Sequence, residues 1–193
     1  MSITNSTLQE IFSATSFSIA ESNLITSKFE LKKLKKGDTL LHANEIVYNQ
    51  YYVSSGCLRT YYIDKLGKEH TLQFAIKDWW ISDYTAFFST TKAVMTIECI
   101  HDAIVYKISR ETMENLYSEI PKLETFFRKK MEKGFSAFQK RILATLSQTA
   151  KERYVSFVHS YPNIEQSVKN YHIASYLGIT TESLSRIRKE ISK

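Results

Sequence analysis

Hydrophobic positions along the chain change their period twice. In the first 27 residues they recur at helical spacing, with Leu8, Ile11 and Phe12 followed by Ile19, Leu24 and Ile25. That spacing predicts one or two short helices. From Phe29 the rhythm shortens. Runs rich in Val, Ile, Tyr, Phe and Thr are broken by Lys36-Gly37-Asp38, by Ser55-Gly56 and by Lys65-Leu66-Gly67-Lys68. Short strands parted by turn residues predict an antiparallel barrel or sandwich. Residues 58–74, centred on 64–68, read as a hairpin. Strands resume at 94–100 and 103–108, with His101-Asp102 between them.

Beyond residue 108 the period turns helical. Ser109 is placed to cap a short helix carrying Met113, Leu116 and Tyr117, with Glu111 and Glu114 near its positive end. Pro121 suits the first position of the next helix. That helix carries Leu123, Phe127, Met131, Phe135, Phe138, Ile142 and Leu146 at steps of three or four. At 1.5 Å per residue it is about 40 Å long. So long a stripe needs more cover than the edge of a small barrel provides. A second copy of the same helix is the natural cover, which predicts a two-fold dimer through Phe127, Met131, Phe135, Phe138 and Ile142. Gly134 weakens the helix slightly and permits close approach of the copies. The plainer alternative is that the stripe packs on its own barrel. Residues 147–193 predict three more helices: 149–160, 170–177, and one starting at 181.

The segment NYHIASYLGITTESLSRIRKEI carries the strongest functional signal. Ile173, Ala174 and Leu177 form the inner face of a short helix, and Ala174 is small, as a close helix crossing requires. Gly178 supplies a left-handed turn, and Ile179 plugs the space between two helices. Thr180 or Thr181 caps the next helix, whose inner face is Leu184, Ile187 and Ile191. Its outer face is then Thr181, Glu182, Ser185, Arg186 and Lys189. Such side chains suit base edges, which need forked donors and acceptors. An ordinary helical hairpin with a polar face is the competing reading.

Charge strengthens the first reading. Net charge is +6, but residues 121–193 hold 14 Lys+Arg against 6 Asp+Glu, while residues 1–120 hold 12 against 14. A basic rear half suits a polyanion. Hydrophobic residues make up 43% and charged residues 24%, and there are only two prolines and five glycines, so disorder and long flexible linkers are excluded. No apolar run reaches bilayer length. The start, MSITNSTLQEIFSATSF, lacks the basic end and apolar core of a secretory signal, so a cytoplasmic protein without membrane contact is expected. Cys57 and Cys99 are too few and too far apart for a zinc or iron–sulfur site, and read as buried small hydrophobes. His42, His70, His101, His159 and His172 are scattered without ligand spacing. No metal, cofactor or enzymatic nucleophile with a partner base is expected.

The order of barrel, long helix and helix-turn-helix resembles the cyclic-AMP receptor protein and Fnr (Crp/Fnr) family of bacterial transcription regulators. IASYLGITTESLSRIRKEI is similar to that family's helix-turn-helix, and KGDTLLHANE followed by YYVSSGCLRTYYIDKLGKEHTLQF resembles its early barrel strands. The resemblance implies an α+β fold: an N-terminal antiparallel β-barrel (double-stranded β-helix, jelly-roll-like) with flanking helices, a long dimerisation helix and a C-terminal helix-turn-helix. It divides the chain into a cyclic-nucleotide-binding-like sensor at 1–115, a dimerisation and linker helix at 116–146, and a DNA-binding domain at 147–193. In the family a Glu and an Arg four residues apart read bases. Matched onto this chain they are Glu182 and Arg186, with Thr180, Thr181, Ser185, Lys189 and Lys169 as further contacts. The implied partners are double-stranded DNA carrying an inverted repeat, a second copy of the chain, and RNA polymerase.

The chain also departs from the family. Members that bind cyclic AMP carry a Gly-Glu-Leu turn and, a short way on, an Arg-Ser pair, which neutralise the cyclic phosphate and hold the ribose. The matching turn here is Ser82-Asp83-Tyr84, and the pair falls near Ala93-Val94. Lys92 is adjacent but lacks the fork of an arginine. The expectation is a degenerate cassette that does not take cyclic AMP with regulatory affinity. Asp83, Tyr84, Lys92, Trp80 and Phe87 outline a possible pocket for an unknown small effector, and core filling by Trp79, Trp80, Tyr84, Phe87 and Phe88 is the alternative. The chain stops at Ile191-Ser192-Lys193, so a full β-hairpin wing after the recognition helix is not expected. Phosphate contacts then fall to Lys169, Arg188 or Lys189, or to Lys151 and Arg153. The reading from another class is a ligand-binding or protein-interaction barrel with a helical tail that does not bind DNA.

Overall fold

The computed structural model describes residues 3–13 and 15–191, so Ser192 and Lys193, on which the expectation of a missing wing partly rests, lie outside the described residues. The described chain divides into two units. The first spans Met1–Tyr62 and Gln73–Lys130, and the second spans Ile63–Leu72 and Met131–Lys193.

The first unit opens with α1 (Asn5–Ile11) and α2 (Ile19–Lys28). A reciprocal capping box starts α2, with Ser18 and Glu21 exchanging side-chain and backbone hydrogen bonds. The strands follow: β1 (Glu30–Leu34), β2 (Thr39–Leu41), β3 (Asn49–Ile63), β4 (Glu69–Ala75), β5 (Trp79–Ile81) and β6 (Thr96–Ser109), with α3 (Tyr84–Phe87) between the last two. The sheet order is β1-β6-β3-β4, with β2 also on β6 and β5 also on β3. All paired registers given are antiparallel. Each long strand therefore serves two partners on one edge at different points of its length. That arrangement bends the sheet into the jelly-roll barrel that the strand spacing predicts.

Two predicted breaks are not breaks. Ser55-Gly56 lies inside β3, where the register with β6 shifts between Val53 and Ser55, Ser55 and Cys57, and Cys57 and Leu58. These bulges turn the strand without ending it. Gly56 has φ +89°, and a Cβ there would sit 2.4 Å from the Asp102 carbonyl oxygen, so glycine is required by both backbone and space. His101-Asp102 likewise lies within β6, because Asp102 is tied to the neighbouring turn by Lys35 Nζ at 2.8 Å and the Lys36 N–H at 2.9 Å. Val94 is outside β6, its N–H being committed elsewhere.

After β6, Ser109 caps α4 (Arg110–Glu119) and Pro121 begins α5 (Pro121–Ser147), as the sequence predicts. The start of α5 closes the barrel core. Phe127 lies 4.8 Å from Trp80, 5.4 Å from Phe126 and 6.0 Å from Phe12, ring centre to ring centre. Cys57 and Cys99 are both buried, and burial pushes their thiols up to about 12 and about 11. They pack as apolar groups, with little thiolate at neutral pH.

In the second unit the distal part of α5 is followed by α6 (Ala150–Ser160), α7 (Pro162–Ser167), α8 (Asn170–Leu177) and α9 (Thr181–Ile191). There are thus four helices after α5 where the sequence predicts three. The chain does break at Tyr161, but Pro162 is a favourable first residue and starts the extra short helix α7.

Candidate nucleic-acid interface

Helices α8 and α9 form a pair around one turn. Gly178 ends α8 in the left-handed conformation, φ 68° and ψ 36°, and its N–H returns to Ala174 and Ser175 carbonyls. Thr180 then caps α9, its hydroxyl accepting from the Ser183 N–H at 3.2 Å. Ile173, Ala174, Leu177, Leu184 and Ile187 are buried, and Ile179 is half-buried. Ile191 departs from the expected inner face and is largely exposed, since the helix ends there with nothing packed across it.

With Leu184 and Ile187 inward, Glu182, Ser185, Arg186 and Lys189 are exposed, Thr180 is exposed at the cap, and Thr181 is half-buried beside it. Thr181, Glu182, Ser185, Arg186 and Lys189 line one shallow depression of about 460 Å³. Glu182 is held below the usual glutamate range by its own backbone N–H and by the Thr180 and Thr181 hydroxyls. It therefore stays an acceptor at neutral pH, with Arg186 a forked donor one turn away. Lys169, exposed at the α8 start, lies 5.7 Å from the Tyr171 ring.

Two arginines named as phosphate contacts face the other way. Arg188 donates to Asn170 Oδ1 at 2.6 Å and to the Tyr154 hydroxyl at 3.2 Å, and pairs with Glu165 at 2.7 Å. It ties α9 to α6, α7 and α8 at once. Arg153 donates to the carbonyls of Gln148 at 2.7 Å and Leu177 at 3.3 Å, satisfying groups that helix ends leave open. Lys151 lies 3.6 Å from Glu190, where the pair is half-exposed and weak.

The expected dimer residues divide. Met131, Phe135, Phe138 and Ile142 are exposed, joined by Leu143 and by Leu146, with Phe135 64% and Leu146 78% exposed. Phe127 is only 9% exposed and belongs to its own barrel's ring cluster, so it leaves the stripe.

The cassette region is the opposite of open. Asp83 is 0% exposed. Its carboxylate accepts from the Thr85 N–H at 3.1 Å and the Thr85 hydroxyl at 2.5 Å, and from the N–H groups of Val94 at 2.8 Å and Met95 at 3.0 Å. The amides an anion would seek are spent on the chain's own carboxylate, and a cyclic phosphate brought here meets a buried negative charge. Phe87 is buried, and Trp80 is packed against Phe29, Tyr52 and Phe127. Tyr84 is half-buried, stacked 5.5 Å from Phe88, and donates to Gln50 Oε1 at 3.3 Å. Lys92 is exposed. These residues do not fit a cyclic nucleotide. Sequence reasoning missed Arg59, which is 1% exposed, pairs with Glu98 at 3.1 Å and lies 4.0 Å from the centre of the Tyr61 ring. Its position in an otherwise apolar strand was the available signal. Among the described residues no group of three or more His, Cys, Asp or Glu is placed to hold a metal ion.

Residues 31–119 match the cyclic nucleotide-binding domain. The chain is 24% identical over 184 residues to the anaerobic regulatory protein of Haemophilus influenzae, covering 89% of this chain and 69% of that one. Two solved structures share the fold. FixK2 from Bradyrhizobium japonicum has a TM-score of 0.74 at 17% identity, over 85% of this chain and 84% of that one. A transcriptional regulator from Eubacterium rectale, assigned to the Crp/Fnr family, has a TM-score of 0.71 at 22% identity, over 91% and 84%. A cyclic nucleotide-binding barrel followed by a long helix and the α8–α9 pair, in a chain similar to such regulators over most of its length, is the make-up of the Crp/Fnr family, and this chain belongs to it.

Proposed function

We propose that the protein is a homodimeric, sequence-specific DNA-binding transcription regulator whose barrel does not respond to cyclic AMP. The observation that carries the reading is the outer face of α9. Glu182, Ser185, Arg186 and Lys189 are held outward together while Leu184 and Ile187 anchor the helix from behind. Arg186 is suited to the two acceptors of a guanine edge and Glu182 to a cytosine amino group. Lys169 and Lys189 supply cations for phosphate. The exposed stripe Met131, Phe135, Phe138 and Ile142 supports pairing of two α5 helices, and the basic rear half supports a polyanionic partner. In a two-fold dimer the recognition helices would meet half-sites one helical turn, about 34 Å, apart. The saturated Asp83 carboxylate supports a sensor closed to cyclic nucleotides.

The test is selection from a random duplex library with the wild type and Arg186→Ala. The expected outcome is enrichment of an inverted repeat by the wild type, with preference relaxed at one base position in the variant. No enrichment by either protein moves the interaction-module reading to first place.

A further inference from the structure

The tip of the β3–β4 hairpin, residues 63–72, belongs to the same unit as the helix-turn-helix. Two side chains hold it there. Ser175 on α8 accepts from the Thr71 N–H at 2.9 Å and donates to the Glu69 carbonyl at 2.8 Å. One hydroxyl thus takes both the donor and the acceptor that a further strand would otherwise pair. Arg141 on α5 donates to the carbonyls of Thr71 at 3.2 Å, of Leu72, and of Tyr176 on α8 at 3.1 Å. Its guanidinium lies 4.0 Å from the centre of the Tyr176 ring, and Tyr176 is itself 5.4 Å from Phe157 of α6. The tip is braced from within. Asp64 accepts from the N–H groups of Leu66 at 2.9 Å and Lys68 at 3.0 Å, and pairs with His70 at 2.8 Å. The reading residues Glu182, Ser185, Arg186 and Lys189 stay exposed with this clasp closed.

We infer that the hairpin tip is a latch that sets the pose of the helix-turn-helix, with Ser175 and Arg141 as its catch. This rests on the assignment of α9 as the DNA reader. The strands that carry the tip continue into the barrel, since β3 runs from Asn49 and β4 runs to Ala75. A shift in those strands therefore reaches α8 through backbone hydrogen bonds, without an effector touching the helical unit. The catch is two-state in character. Thr71 is buried, and its N–H and carbonyl are either paired across the clasp or left without a partner until water enters. Engagement of an inverted repeat requires both readers to keep their pose together. A reader that swivels engages each half-site independently and forfeits the effective concentration that linkage supplies. A lone half-site has no such requirement.

The experiment uses the full chain with Ser175→Ala and Arg141→Gln. Hydrogen exchange is read across the hairpin tip, α8, α6 and β6, and affinity is read on two duplexes, the selected inverted repeat and a single half-site. In both variants, amides of the tip and of α8 are expected to exchange about tenfold faster, while α6 and β6 keep their protection. Affinity for the inverted repeat should fall by about tenfold or more, with half-site affinity within about twofold of wild type. Unchanged exchange in α8 once the tip has opened overturns the latch. So does an equal fall on both duplexes, which marks local damage to the reader. If the wild type binds no duplex at all, the reader assignment fails. The exchange arm still decides whether tip and α8 open as one unit.

Discussion

In the barrel's cassette, Asp83 caps a short helix, is fully buried, and accepts four hydrogen bonds from its own chain. In the reader, Glu182 sits in the first turn of a helix too, yet it is exposed, with the Thr180 and Thr181 hydroxyls beside it. The chemistry of the two carboxylates is the same, and what differs is what lies across from each. A carboxylate satisfied inside stabilises the fold and is lost to recognition; one held ionised at the surface remains able to accept from a partner. The contrast recurs in like pairs: Arg188 is bound inward by Glu165, Tyr154 and Asn170 while Arg186 stands free on the outer face, and Phe127 fills a core while Phe135 lies bare on the same helix.

The aromatic pair offers the largest effect with which to break this contrast. Phe127→Ala should destabilise the protein by about 3–5 kcal/mol, as expected for a buried ring in a packed cluster. Phe135→Glu should leave the protomer folded and convert dimer to monomer in sedimentation equilibrium. A folded, fully dimeric Phe135→Glu protein would remove α5 from the interface.

Next comes the cassette. Asp83→Ala strands the Val94 and Met95 N–H groups and should cost about 3 kcal/mol in denaturant unfolding, since hydrogen bonds to a charged group each contribute about 1.5–3 kcal/mol. Glu182→Ala should shift the same midpoint by no more than about 0.5 kcal/mol. Equal effects at the two sites would erase the distinction.

The arginines give a smaller and more specific signal. Arg186→Ala should cost about 1–3 kcal/mol of discrimination at one base position and leave stability nearly unchanged. Arg188→Ala should lower stability and weaken all sequences alike, because it loosens the helices behind the reader. Relaxed preference at a single base in Arg188→Ala would assign the reading role to the wrong arginine.

The smallest effect is at the hairpin tip. His70 beside it, with the Lys68 and Leu66 N–H groups, holds Asp64 below the usual aspartate range. A depressed folded value means that this contribution is present above the unfolded value of about 3.9 and is lost as pH falls through the folded one. The carboxyl carbon of Asp64 should therefore titrate with a midpoint below about 3.9 in NMR, and the tip should be indifferent to pH between about 5 and 7. A midpoint at or above the ordinary value would dissolve the brace.

Much of this was legible in the sequence wherever the controlling rule is local. Ser109 as a cap, Pro121 as a first helical residue, Thr149 before α6 and Gly178 as a left-handed terminus are read from one or two neighbours, and each stands where it was expected. The outward set Glu182, Ser185, Arg186 and Lys189 follows from helical period alone once Leu184 and Ile187 are inside. Local reading failed where two segments decide together. Ser55-Gly56 looks like a turn, and only the approach of Asp102 and Ala103 across the sheet turns it into a bulge within one strand. The missed helix α7 shows a further limit, since Pro162 both ends one helix and begins another.

The sequence by itself determined the alternation that makes a barrel, the long helix, and a helix pair with a polar face set against an apolar one. Those features depend on period and on caps, which act over a few residues. Tertiary structure alone decided which of two similar residues was spent. Asp83 needed the N–H groups of Val94 and Met95 brought to it across eleven and twelve residues. Arg188 needed three other helices, and Arg141 needed a hairpin tip some seventy residues earlier in the chain. Burial and hydrogen-bond satisfaction depend on what arrives from elsewhere, and no window of sequence contains both sides of such a contact.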